Sequence, residues 1–405
     1  MTTTNPQDAR HSGFRGTVGA FVDRLRGGDL GSLPVLVGLV LIGVVFQLLN
    51  PNFLSPTNLV NLTMQCAAIG TIALGIVLVL LVGEIDLSVG SVSGLAAAIL
   101  AVAFVQFGWP LPVALLAAIA AGAVAGLAYG LLYTRFGVPA FVLTLAGLLG
   151  FLGVQLWVLG RVGSINIPFD SALVTFGQQL FLPDPLAYGI VALVVLGYGY
   201  TLVSQSRRRT EAGLAAMSTT VIGLRVGGLL LLLGTVTWYL NLARGVGAMF
   251  LFFVALVTIV HHALTRTRWG RAVYAVGGSV EAARRAGIRV NRVYISVFVL
   301  CSTLAAVGGL MAAARLAAAN QSSGGSDTNL NAIAAAVIGG TSLFGGRGSA
   351  FSALLGVLVI MSISSGLTLL NLDSSIRYIV TGSVLVLAVI IDSLSRRSRA
   401  AAGRA

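Results

Sequence analysis

The chain has 405 residues, 57% hydrophobic and only 9% charged, with a mean hydropathy of +0.96. A soluble domain carries about 25% charged residues, so a water-soluble globular fold is excluded and an all-α polytopic membrane protein is expected. All 25 basic residues are arginines, which excludes a nucleotide-binding P-loop in this chain, because that motif needs its lysine on the phosphates. The net charge of +13 falls in short loops between apolar runs, the positive-inside pattern rather than a nucleic-acid footprint.

Taken in chain order, residues 1–32 form a cytoplasmic tail without the apolar core and cleavage site of a secretory signal. Phe14, Val18, Phe21, Val22 and Leu25 follow helical spacing, with Arg15, Arg24 and Arg26 on the other side. This suits either a helix lying on the membrane surface or an unstructured tail. A crossing needs about 20 apolar residues. Candidates are 33–49, 59–82, 89–108, 111–134, 139–159, 186–204, 225–241, 247–263, 293–316, a short one at 330–345, 349–370 and 376–393. The fold expected is therefore about 11–12 transmembrane helices, with the permeation domain over 33–395 and a cytoplasmic tail at 396–405. With the N-terminus inside, 21 arginines fall on the cytoplasmic side and four outside (Arg161, Arg244, Arg315 and Arg377), which places both termini inside.

No catalytic, cofactor or metal site is expected. Cys66 and Cys301 lie apart in apolar surroundings and read as small core residues. His261 and His262 close a hydrophobic run, and nothing near them completes a ligand set.

Two stretches interrupt the apolar pattern. "GEIDLSVGSVSG" (83–94) places Glu84 and Asp86 between two spans, where a charge costs roughly 2.5–3.5 kcal/mol on insertion scales. Gly83 and Gly90 permit a bend, and Asp86 and Ser88 are N-cap types suited to starting a helix near Val89. The stretch reads as an interrupted helix facing the interior, its carboxylates either contacting solute or only holding the break. "VIGGTSLFGGRGSAFSALLG" (337–356) is a second such break, and Ser342-Leu343-x-x-Gly346 aligns with Asp86-Leu87-x-x-Gly90. As a repeat the match is weak; paired breaks in two halves nevertheless point to a transport pathway. Glu84, Asp86, Ser88, Gly90, Thr341 and Ser342 are its candidate residues. Asn320, Gln321, Asp327 and Asn331, in the polar run just before the second break, join them, as donors and acceptors suited to a neutral polyhydroxy solute; a plain external loop is the other reading.

Two loops are long. Residues 161–185 lie outside with several aromatics, and 265–292 lie inside and are strongly basic. In the latter, Ser279 suits an N-cap, Glu281 a first turn and Gly287 a C-terminal stop. The segment is either a solvated loop or a docking element for a soluble subunit.

"GEIDLSVGSVSG", "PAFVLTLAGLLGFLG" (139–153), "YAVGGSVEAARRAGIRV" (274–290) and "LNAIAAAVIGGTSLFGGRGS" (330–349) stand in one order over most of 40–395. In these the chain resembles the permeases of ATP-binding-cassette importers for ribose, xylose and galactose. Its surplus segment at about 205–245 is most similar to the D-xylose permeases. The resemblance implies a homodimer, a separate cytoplasmic ATPase, an extracytoplasmic sugar-binding protein and a place in the inner membrane. It also assigns coupling to the ATPase to the segment containing Gly278, Ser279, Glu281, Ala282, Ala283 and Gly287. Ribose, galactose or a nucleoside are alternative solutes. The rival class is an ion-coupled secondary transporter with Glu84 and Asp86 as carriers.

Overall fold

The computed structural model describes residues 33–390, apart from Ala215, Arg377, Leu385, Ala388 and Val389. The expected surface helix at 14–25 and the tail at 396–405 lie outside the described residues, as does part of the candidate span 376–393. The described chain divides into two compact units, residues 181–246 and the remainder on either side of them.

The larger unit begins with α1 (Leu33–Leu49) and α2 (Pro56–Leu81). α2 starts because the Ser55 side chain accepts the Asn58 N–H at 3.3 Å and Pro56 supplies the fixed φ of a first helical position. α3 (Val89–Ala101) runs on through a wider turn to Gln106. α4 (Leu111–Phe136) ends on Gly137 in the left-handed conformation, and α5 (Ala140–Leu159) follows Pro139.

The smaller unit is a helical hairpin of α6 (Asp184–Glu211) and α7 (Thr219–Asn241). α6 carries Arg208 and Arg209 in its last turn, a favourable place for cations, and Ser206 Oγ accepts the Met217 N–H at 3.0 Å to close the connection. The segment expected at about 205–245 thus falls inside a unit that begins some way earlier, because α6 is continuous from Asp184.

The larger unit resumes with α8 (Ala248–Arg266), α9 (Arg268–Gly278), α10 (Val280–Arg285) and α11 (Val290–Leu316). It continues through α12 (Ser326–Ile338) and α13 (Ala350–Leu369). α2 is its most enclosed span, with α11, α13, α12 and α8 packed around it; α11 also packs on α4 and α3. Small residues let these backbones approach: at Gly126 of α4 only a hydrogen fits against the carbonyl of Phe298.

Among the described residues nine helices are long and apolar enough to cross a bilayer, with α1 a shorter tenth candidate. The short crossing expected at 330–345 is corrected. The helix there is α12, 13 residues over Ser326–Ile338, about 20 Å long at 1.5 Å per residue and too short for a hydrocarbon core of about 30 Å. Residues beyond Ile338 leave the helix because the run of glycines takes backbone angles that other residues rarely adopt.

Among the described residues one two-stranded antiparallel ribbon joins the loop after α5 to the segment that follows α11. β1 (Ser164–Asn166) pairs with β2 (Ala318–Asn320) in the register Ser164 to Asn320. The loop after α5 is thereby folded onto the end of α11, with Ile167, Leu173 and Val174 buried.

Candidate functional site

At the first break the chain leaves α2 and turns at Gly83, whose φ is +83°. Asp86 is fully buried. Its Oδ1 accepts both the Ser88 N–H at 2.8 Å and the Ser88 hydroxyl at 2.7 Å, and the Cys301 thiol of α11 points at Oδ2 at 3.8 Å. Asp86 therefore fixes the turn that leads into α3 by holding its N-cap residue, Ser88, whose hydroxyl donates to it and makes no cap bond of its own. Glu84 is half-buried and accepts from the Tyr133 hydroxyl at 2.6 Å, while the Tyr133 ring lies 4.7 Å from that of Tyr294. The Leu87 carbonyl accepts the side-chain amide of Asn329 in α12 at 2.6 Å. The side chains of Glu84, Asp86 and Ser88 thus each have a partner on another helix or within their own turn, in keeping with the need of non-helical backbone at membrane depth to be surrounded by protein.

At the second break Ser342 Oγ accepts the Phe344 N–H at 3.2 Å, and its own N–H donates to the Arg347 carbonyl at 3.0 Å. Thr341 is buried, with a hydroxyl that has no partner among the described residues. The Ser349 side chain then accepts the Phe351 N–H to start α13.

The two breaks touch. Gly83 lies against Phe344 and Gly345, and the Gly346 N–H donates to the Leu81 carbonyl at 2.9 Å. Gly277, near the end of α9, packs on both partners of that hydrogen bond. A side chain at 277 would collide with the Leu81 carbonyl and the Gly346 amide. The Tyr274 hydroxyl, also on α9, donates to the Gly348 carbonyl at 2.9 Å, and burial pushes its pKa above the ordinary phenol value, keeping it a donor. Trp269 Nε1 donates to Ser296 Oγ at 2.8 Å and ties the other end of α9 to α11.

Past Gly277 the chain is exposed at Gly278, Ser279, Glu281, Ala282 and Gly287, whereas Ala283 is buried. Ser279 Oγ accepts the Ala282 N–H at 3.3 Å to begin α10, and Gly287 takes φ +78° after it. Glu281 and Arg284 form an exposed ion pair at 3.4 Å. The short helix that the sequence places between Ser279 and Gly287 is α10; α9, which the sequence does not announce, precedes it and meets it at Ser279.

The polar run before the second break lies elsewhere. Residues 320–325 fold over the first turns of α3, where Gly90 meets the Gly324 carbonyl. Gln155 of α5, fully buried, donates to the carbonyls of Asn320 at 3.1 Å and Ser323 at 2.9 Å. Beside this turn is a cavity of about 270 Å³ between α2, α3, α11 and the start of α12.

Of the candidate pathway residues, Asn320 and Asp327 line this cavity. Glu84, Asp86, Ser88, Thr341 and Ser342 belong to the two touching breaks; Gln321 is exposed, and its N–H donates to the Gly163 carbonyl. Asn331 lies further along α12, outside the cavity lining. Thr328, from the same polar run, also lines the cavity, and its neighbour Asn329 braces the surroundings; sequence reading missed Gln65 and Arg315 in the lining and Gln155 beside it. A signal existed for Gln65 and Gln155: each is a lone amide inside an apolar span, and such residues face the protein interior.

The model of the family described as "Branched-chain amino acid transport system / permease component" matches residues 58–389. The chain belongs to this family. It is a multi-pass membrane permease. Among its relatives is the xylose transport system permease protein XylH of Escherichia coli, 37% identical over 346 residues that cover 85% of this chain and 87% of the relative. The XylH of Haemophilus influenzae is 34% identical, covering 92% and 99%. The ribose import permease protein RbsC of Bacillus subtilis is 33% identical, covering 90% and 94%. No solved structure matches the chain. The motif resemblance to the ribose and xylose group, with the xylose permeases nearer, is borne out by these relatives. The permease is a transport component and not itself an enzyme.

Proposed function

We propose that the permease carries a monosaccharide, D-xylose first among them, inward across the inner membrane as the membrane subunit of an ATP-binding-cassette importer. In this reading two copies form the pathway and both termini are cytoplasmic. An extracytoplasmic binding protein delivers the sugar, and a separate ATPase docks on the exposed face of α10. Kinship with permeases named for xylose and ribose transport supports the solute class. Permease components need no nucleotide site of their own, in keeping with the missing P-loop lysine.

The observation that carries the mechanism is the packing of Gly277 against Leu81 and Gly346. Closure of the ATPase pair displaces α9–α10, and Gly277 passes that displacement to both helix breaks at once, since it touches each backbone without an intervening side chain. The breaks then re-pack and access alternates. The exposed face of α10 supplies the contact; Ala283 and Tyr274 keep the segment seated on the bundle.

The partnered state of both carboxylates argues against the ion-coupled reading: Glu84 is held by Tyr133 and Asp86 by Ser88. The test is uptake of radiolabelled D-xylose, ribose, galactose and a nucleoside by proteoliposomes holding the permease with its co-encoded ATPase and binding protein. ATP-dependent sugar uptake that resists a protonophore is expected. Uptake without ATP, abolished by the protonophore, overturns the proposal.

A further inference from the structure

Four polar side chains in the 270 Å³ cavity are left without partners. Gln65 of α2, Arg315 of α11, and Asp327 and Thr328 of α12 line it, and none makes a side-chain hydrogen bond or ion pair among the described residues. The other polar groups around it are engaged: Asn320 Oδ1 accepts from the Ser322 hydroxyl at 2.8 Å, and the Ser93 hydroxyl donates to the Gly90 carbonyl at 2.6 Å. A guanidinium and a carboxylate that share a cavity without pairing are the strongest hydrogen-bonding groups available there.

We propose that this cavity is a monosaccharide-binding subsite lying within one chain, with Arg315 and Asp327 holding ring hydroxyls and Gln65 and Thr328 selecting among sugars. The proposal rests on the importer reading and adds to it a site at which the permease itself discriminates. A guanidinium only donates, an ionised carboxylate only accepts, and a sugar hydroxyl does both, so one polyol satisfies all four groups. The two charges cancel, which gives neither a cation nor an anion an advantage. Ile69, Ile72, Leu316 and Met361 supply an apolar wall for the C–H face of a ring. Among the described residues no aromatic side chain lines the cavity, so a nucleobase finds nothing to stack on. Its volume is just below the ~300–1,000 Å³ of sites for drug-sized ligands, in keeping with a smaller solute. A zwitterionic amino acid would pair with Arg315 and Asp327 but leave Gln65 and Thr328 unsatisfied, and unpaired polar groups are what a site uses to reject a wrong ligand.

The test uses the permease–ATPase complex in proteoliposomes carrying Ser322→Cys, a position that is exposed and lines the cavity, while the native Cys66 and Cys301 are fully buried. The rate of modification by a charged methanethiosulfonate is measured with D-xylose, with leucine and with neither. Slowing by D-xylose but not by leucine is expected. Adding Gln65→Leu or Thr328→Val should raise the xylose concentration needed for protection about three- to tenfold, one neutral hydrogen bond being worth ~0.5–1.5 kcal/mol. Slowing by leucine alone overturns the ligand class. No slowing by D-xylose, with the native complex still importing it, overturns the subsite and leaves the importer reading standing. A native complex that imports no monosaccharide removes the importer reading itself, and the proposal with it.

Discussion

Gly277 packs its α-carbon on the carbonyl oxygen of Leu81, the acceptor of the hydrogen bond from Gly346. Three segments distant in sequence therefore share one backbone contact: the end of α2, the second break and α9. Gly277→Ala puts a methyl group between two backbones that have no flexible side chain to move aside. Overpacking of this kind costs ~1–3 kcal/mol, so the apparent melting temperature in detergent should fall. Uptake per ATP hydrolysed should fall with it. A variant with native stability and native coupling would show that α9 does not need this close seat.

Asp86 is tested by comparing two replacements. Asp86→Ala leaves the amide and hydroxyl of Ser88 unpaired in a fully buried place, at ~1–3 kcal/mol for each orphaned group. Asp86→Asn keeps a side-chain oxygen able to accept from both. The alanine variant should therefore melt well below the asparagine variant, and the latter should keep most of its uptake. Equal loss of uptake in the two, with the asparagine variant still stable, would mean that the charge is used in transport.

Gln155→Leu conserves bulk and removes both hydrogen bonds to the carbonyls of Asn320 and Ser323. At ~0.5–1.5 kcal/mol per bond, a loss of ~1–3 kcal/mol is expected. The 320–325 turn should loosen, seen as faster methanethiosulfonate labelling of Ser322→Cys. Unaltered labelling would show that the turn is held by other contacts.

Glu281→Gln should separate stability from coupling. The Glu281–Arg284 pair is exposed on both sides, and such pairs contribute ~0–1 kcal/mol. Melting should hardly change, whereas stimulation of ATP hydrolysis by the sugar-loaded binding protein should drop. Full stimulation would remove Glu281 from the docking contact.

Tyr133→Phe tests how Glu84 is held. The phenol is its hydrogen-bond partner at 2.6 Å in a half-buried setting, and hydrogen bonds to charged groups are worth ~1.5–3 kcal/mol. Destabilisation toward the lower end of that range is expected, since the carboxylate is only half-buried. No change in melting would mean that water replaces the phenol at no cost.

Local signals carry over well because they are written in neighbouring residues. Apolar run length located the spans, Ser279 marked where α10 starts, and the glycines after Leu81 and Ile338 marked where the chain leaves its helices. Such a signal states where the backbone bends but not what it meets there. Residues 330–345 were misjudged for a related reason: the alanine run reads as the body of a span, whereas the helix is a short one buried among α2, α3 and α13.

The sequence by itself determined a helical membrane permease with two breaks and an arginine-rich loop between them, because hydrophobic length, charge bias and capping chemistry act over a few residues. Only the tertiary structure decided that the breaks touch each other and Gly277, that Asp86 is bonded within its own turn, and that Gln65, Arg315, Asp327 and Thr328 share a cavity. Those relations come from helix packing between segments far apart in the chain, and a backbone approaching through a glycine leaves no side-chain pattern from which the partner can be read.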